Sequence, residues 1–268
     1  MAKSTRLIIK GQTTDSKKPS TGLAAKVVDV LNERVQENKP ILRLNVLQQL
    51  EENVLSPAPM DPPDLVDLMR GLRISEEDLL NHYIPAAARR MGEAWENDEL
   101  NFAQVTIGCA RLQSVLHYLS DCWVDGGLHS RADRAPQDIG FMLATLQGDE
   151  HSLGMVTIAA KLRRRGHVVQ LLLGTTDAEI RQQLKKHEPD CLLLSASSVA
   201  SLDLLAHLCT EAKKINKTPP VIAVGGLVLD LHNRVLAHTG ADLATNDLQS
   251  VIHLCLSRRI GQISVVRS

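Results

Sequence analysis

The segment Gln147-Gly148-Asp149-Glu150-His151-Ser152-Leu153-Gly154 sets an acid-flanked histidine between the end of an apolar run and the start of a helical pattern. An imidazole nitrogen is a good metal ligand when a carboxylate holds the ring's other N–H. That contact fixes the tautomer and raises the basicity of the free nitrogen. Asp149, two residues before His151, is placed to make it. Gly154, lacking a Cβ, would let a bulky flat ligand approach the backbone, and Ser152 adds a hydroxyl to the same turn. By itself the DxHxxG pattern fits a histidine that caps a helix or lies on the surface just as well.

Two further segments bear on that choice. Ser195-Ala196-Ser197-Ser198-Val199-Ala200-Ser201 ends a later apolar run, with Ser195 about forty residues beyond Gly154. Gly225 and Gly226 end the next one, in Val221-Ile222-Ala223-Val224-Gly225-Gly226. Small residues at the ends of two neighbouring strands would leave a slot deep enough for a long ligand appendage.

The elements that must position these residues are legible from periodicity. "GFMLATLQ", "HVVQLLLG", "DCLLLSAS", "PPVIAVGG" and "ADLATND" are short apolar runs separated by stretches of helical length. Continuous rather than alternating apolar character suits parallel strands buried on both faces. Residues 140–268 are therefore expected to form a five-stranded, flavodoxin-like, doubly wound α/β domain with helices on both faces. Ligands of such sheets bind outside the carboxyl ends of the strands, at the topological switch point, and all three segments fall there.

Residues 23–125 carry apolar side chains at helical spacing, as in "GLAAKVVDVLNERVQ" and "ILRLNVLQQLEENVL", and predict a four- or five-helix bundle. The proline-rich "SPAPMDPPD" interrupts it, Ser75 starts a further helix, and Pro85 must kink that helix or begin a new one. Residues 126–139 read as a linker. Residues 1–22, with Lys3, Arg6, Lys10, Lys17 and Lys18 against Asp15, read as a mobile basic arm, either solvated or contacting DNA phosphates.

Composition excludes several classes. Two Trp, two Tyr and two Phe cannot supply stacking platforms for single-stranded nucleic acid, and a net charge of -1 gives no global attraction to nucleic acid or membrane. The five cysteines are scattered without a CxxC pair and read as reduced core residues. With no long apolar segment in the sequence, a cytoplasmic, non-membrane location is expected. No GxSxG and no paired carboxylates suggest a nucleophile or acid–base pair, so a non-enzymatic role is expected. "KLRRRGH" places Lys161, Arg163, Arg164 and Arg165 where cations complement a helix C-terminus ahead of Gly166. A partner- or DNA-facing patch shared with Arg258 and Arg259 is the other reading. His117, His207, His232 and His253 read as surface or core histidines.

The trio of DxHxxG, serine segment and Gly-Gly resembles the signature of cobalamin-binding domains. The resemblance implies that His151 is the lower cobalt ligand, replacing the benzimidazole, with Asp149 orienting it. It also implies that Ser195 and Ser201 are the two serines of the family segment and that Gly225 and Gly226 line the slot for the displaced nucleotide tail, with Ser197 expected among the cofactor-binding residues. Ser197 departs from the family's SxL pattern, trading an apolar contact for a hydroxyl. The helical half looks like the cap that precedes this domain in methionine synthase and in CarH-type photoreceptors, which would place Trp95 over the cobalt.

In the CarH type a Glu-His pair lies ten and eleven residues after the tryptophan; here those positions are Val105 and Thr106. The missing upper histidine favours hydroxocobalamin over adenosylcobalamin and argues against a tetramer switch, leaving monomer or homodimer. "IPAAARRMGEAWENDELNFAQVTIGCARLQ" is closer still to the AerR/PpaA regulators of photosynthetic bacteria. This implies a light- or redox-responsive antirepressor whose partner is a CrtJ/PpsR-type repressor. A corrinoid carrier subunit of a methyltransferase and a haem sensor on the same scaffold are the alternatives.

Overall fold

A computed structural model describes residues 42–121, 138–149, 152–215, 217–231 and 234–266. The basic arm, the helix expected over 22–36, nearly all of the linker, Cys122, His151 and His232 lie outside the described residues.

The helical part consists of α1 (Leu44–Leu55), α2 (Pro62–Gly71), α3 (Ile84–Glu96) and α4 (Phe102–Asp121). Helix α2 starts inside the stretch expected only to break helices. Pro62 and Pro63 occupy its first positions, where a missing N–H costs nothing and the fixed φ is already helical. Ser75 caps the next turn, its Oγ accepting from the Asp78 N–H at 3.0 Å. The chain then widens into a π-turn over Leu79–Tyr83 before Pro85 enters α3. Proline removes one backbone donor and crowds the carbonyl four residues back, and the wide turn absorbs both defects. Arg111 of α4 fastens the end of α1, donating to the Val54 carbonyl at 3.1 Å and that of Ala58 at 2.8 Å.

The sheet contains β1 (Gly140–Leu146), β2 (Val168–Thr175), β3 (Cys191–Ser195), β4 (Val221–Gly225) and β5 (Leu243–Ala244). Its order is β2-β1-β3-β4-β5 and every pairing is parallel, the flavodoxin-like order expected from the sequence. Alternate side chains of β1, β3 and β4 enter opposite cores. Phe141, Leu143, Leu193 and Ala223 pack with α5 (Leu153–Arg164) and α10 (Leu248–Val266) on one face. Met142, Ala144, Leu194 and Val224 pack with α6 (Asp177–His187) and α7 (Leu202–Ile215) on the other. Two short helices, α8 (Val228–Leu231) and α9 (Val235–Thr239), complete the second face.

Helix α5 joins the two halves. Met155, Ala159 and Leu162 face the sheet, while Val156 and Ala160 are buried in the core of the helical cap. Fully burying a side chain the size of Val156 or Leu162 contributes about 1.5–3 kcal/mol, so this seam anchors the cap over the sheet. Ion pairs add to it: Arg164 lies 3.5 Å from Glu76 and 3.8 Å from Glu77. Gly166, at φ +81°, ends α5.

Candidate functional site

The switch point of this strand order lies between β1 and β3, whose following segments leave for opposite faces of the sheet. The loop after β1 carries Asp149, and the turn after β3 carries Ser197. The Asp149 carboxylate accepts from the Ser197 backbone N–H and hydroxyl, each at 3.0 Å. Sequence reasoning assigned Asp149 to an imidazole only. A carboxylate has about four lone-pair sites, so Asp149 can accept from more donors than the two of Ser197. The departure from the family pattern at Ser197 thus has a local use: its hydroxyl supplies one of the two bonds that bridge the crevice.

Ser152, on the other side of His151 in the chain, accepts from Gln113 Nε2 at 2.8 Å. Gln113 belongs to α4 of the cap, so the ligand loop and the cap are directly connected. The sequence carried no signal for Gln113 beyond its helical phase. Val105, Cys109 and Gln113 recur at four-residue spacing and share one face of α4.

A cavity of about 360 Å³ opens at the carboxyl ends of β3, β4 and β5. Gly154, Thr157, Ile158 and Lys161 form one wall along α5; Ser195, Gly225 and Gly226 form the strand ends; Asn246 and Asp247 close the far side, and Pro85 and Ala88 roof it from the cap. The cavity therefore unites Gly154, Ser195, Gly225 and Gly226. Asp149, Ser152, Ser197 and Ser201 do not line it; Ser201 sits in the 3-10 turn Val199–Ser201. Trp95 is half exposed and Val105 partly buried, and neither lines the cavity. Trp95 does share a helix face with the roof, since Pro85, Ala88, Gly92 and Trp95 recur at three- and four-residue spacing.

The glycines differ in what demands them. At Gly226, φ is +98° and a Cβ would stand 2.5 Å from the Ala196 carbonyl oxygen, so the turn itself requires glycine. Its N–H donates to Asn246 Oδ1 at 2.7 Å, a contact the sequence reading missed, although an Asn-Asp pair at the end of the last strand was its visible trace. At Gly154 a Cβ would meet nothing within 4 Å. The protein's own packing does not require glycine there, and the open space it leaves belongs to the cavity. A slot with small residues at its rim, hydroxyl and amide groups on its walls and an apolar roof fits the tail of a corrinoid, at a volume typical of sites that enclose small molecules.

Burial of the Lys161 ammonium, with Arg165 nearby, holds its pKa below the ordinary lysine value. His117, His207 and His253 are exposed, and the described Cys191, Cys209 and Cys255 are buried free thiols. Among the described residues no three His, Cys, Asp or Glu converge to hold a bare metal ion, and no helix is long and apolar enough to cross a membrane.

Comparison with known proteins bears on the family and the fold. Residues 139–246 match the B12 binding domain. The chain is 34% identical over 188 residues, 70% of its length and 95% of the relative's, to the "Uncharacterized 20.5 kDa protein in bchF-crtJ intergenic region" of Rhodobacter capsulatus. The monomethylamine corrinoid protein of Methanosarcina barkeri has a similar fold, with a TM-score of 0.61 at 13% identity, covering 81% of this chain and 99% of that one. With its parallel sheet and the cavity at the strand ends, the C-terminal half contains a B12 binding domain over residues 139–246, and the chain belongs to the same family as the Rhodobacter capsulatus protein.

Proposed function

We propose that this protein is a cobalamin-binding, light- or redox-responsive regulator that acts as an antirepressor of a CrtJ/PpsR-type repressor of photosynthesis genes. The observation that carries the cofactor is the cavity shared by Gly154, Ser195, Gly225 and Gly226 beneath the cap. The regulatory role is supported by the relative whose name places it beside crtJ. His151 is the proposed cobalt ligand, hydroxocobalamin the proposed form, and the cytoplasm the proposed location.

When bound, a corrinoid would supply a cobalt ion whose chemistry responds to light or to redox state. The chain's own residues supply the rest. Ser197 holds Asp149, which would orient His151. Gln113 ties Ser152, and so the ligand loop, to helix α4. Pro85 and Ala88, with Trp95 farther along the same helix face, hold the cap over the site. A signal requires that the two ligand states favour different arrangements of cap and sheet, and the Gln113–Ser152 bond is the connection through which loop and cap shift together.

The test is an absorption spectrum of wild type and His151→Ala after incubation with hydroxocobalamin in light and in dark, followed by desalting. Retention of an imidazole-ligated corrin spectrum by wild type alone supports the cofactor assignment. A haem spectrum after haem incubation, with none for corrinoid, replaces it with the haem sensor. Transfer of a methyl group to and from the bound cobalt by a partner enzyme would favour the carrier. Light-dependent release of a CrtJ/PpsR-type repressor from its DNA on adding the loaded protein tests the regulatory step.

A further inference from the structure

Lys161 lines the cavity from the last turn of α5 and is partly buried. Four other cations of this side of the sheet have partners. Arg163 donates to the Val169 carbonyl at 3.3 Å, Arg164 pairs with Glu76, Arg258 lies 3.2 Å from Asp242, and Arg259 donates to the Asp138 carbonyl at 2.9 Å. The ammonium of Lys161 has no hydrogen bond or ion pair among the described residues, and the charge that acts on it, Arg165, has the same sign. Asp247, the carboxylate of the same cavity, is engaged elsewhere: it accepts from the backbone N–H groups of Gln249 and Ser250 at 3.0 Å each. A partly desolvated cation without a counter-ion is costly unless a ligand brings the anion.

Position along the helix narrows the anion. Gly154, Ile158 and Lys161 share one face of α5, and seven residues of helical rise separate the first from the last by about 10 Å. A flat ring seated at Gly154 reaches Lys161 only through an appendage. An ammonium is a good point-charge partner for phosphate.

We propose that Lys161 pairs with a phosphodiester in the ligand's tail and makes the cavity select corrinoids that carry a nucleotide over the same ring without it. The proposal rests on the corrinoid reading above.

Binding of hydroxocobalamin and of cobinamide, which lacks the nucleotide base and its phosphodiester linkage, is titrated by absorbance on wild type, Lys161→Met and Lys161→Arg at low and high salt. Lys161→Met weakens hydroxocobalamin about tenfold at low salt and leaves cobinamide unchanged; Lys161→Arg restores most of the loss. Lys161→Met also leaves the unliganded protein at least as stable as wild type, because an unpaired desolvated charge is removed. Equal weakening of both corrinoids, or of neither, overturns the proposal, and a fall in unliganded stability reveals a protein partner and overturns it too. A wild type that retains neither corrinoid sinks the corrinoid reading itself.

Discussion

Asp149 and Ser197 meet across the switch point, 48 residues apart in the chain, through two hydrogen bonds of 3.0 Å to one carboxylate. Hydrogen bonds to a charged group contribute about 1.5–3 kcal/mol when buried, less where partly exposed as here. Ser197→Ala removes the hydroxyl donor and keeps the backbone one, so we expect a loss of about 1 kcal/mol, or roughly 2–4 °C in melting temperature. Asp149→Ala strands both donors and costs more. Thermal unfolding followed by circular dichroism ranks the two, and the reverse order would exclude Asp149 as the organiser of the crevice.

Gly154 and Gly226 should respond oppositely to alanine. Gly154 is in the first turn of a helix with open space at its Cβ position, so Gly154→Ala stabilises the unliganded protein by about 0.5–1 kcal/mol. Gly154→Leu instead fills the cavity and abolishes corrinoid retention without unfolding the protein. Gly226→Ala meets both a left-handed backbone and a carbonyl oxygen, and costs about 2 kcal/mol or more. Denaturant midpoints of the three variants, with retention of corrinoid after desalting, decide the matter.

The Gln113–Ser152 bond is expected to matter more for coupling than for stability. Gln113→Ala lowers stability by about 1 kcal/mol or less, the net worth of one partly exposed hydrogen bond. Hydrogen exchange over 102–121 should report any light-dependent change in the cap of the loaded wild type, and that change should shrink in the variant. An undiminished response would show that the signal reaches the cap by another route.

Stability should fall on the acid side of neutrality because of His167. Its ring packs 5.4 Å from that of Phe141; burial and then Arg165 hold its pKa below 6.5, against a weaker opposing pull from Asp138. The unfolded chain therefore binds the proton first. The contribution is intact above pH 6.5 and is lost as pH falls toward the depressed folded value. His167→Phe removes that slope, which urea midpoints measured across this range will reveal.

The parallel sheet was legible from the residues because strands buried on both faces must be continuously apolar, and the runs at Phe141, Leu192 and Ile222 have that character, whereas the edge strands β2 and β5 are only partly buried. Helix α2 was not, because Pro62 and Pro63 break a helix in its interior but start one at its first positions, and composition cannot tell these apart.

The same division runs through the site. Local sequence determined which small residues end the strands, and Gly154, Ser195, Gly225 and Gly226 meet in one cavity because parallel strands bring their carboxyl ends to the same edge. Tertiary structure alone decided that Ser197 holds Asp149, that Gln113 reaches Ser152 from 39 residues away, and that Lys161 lines the cavity with no counter-ion among the described residues. Periodicity records which face of an element is buried, whereas a hydrogen-bond partner is chosen only when the cap and the two sides of the crevice close on one another.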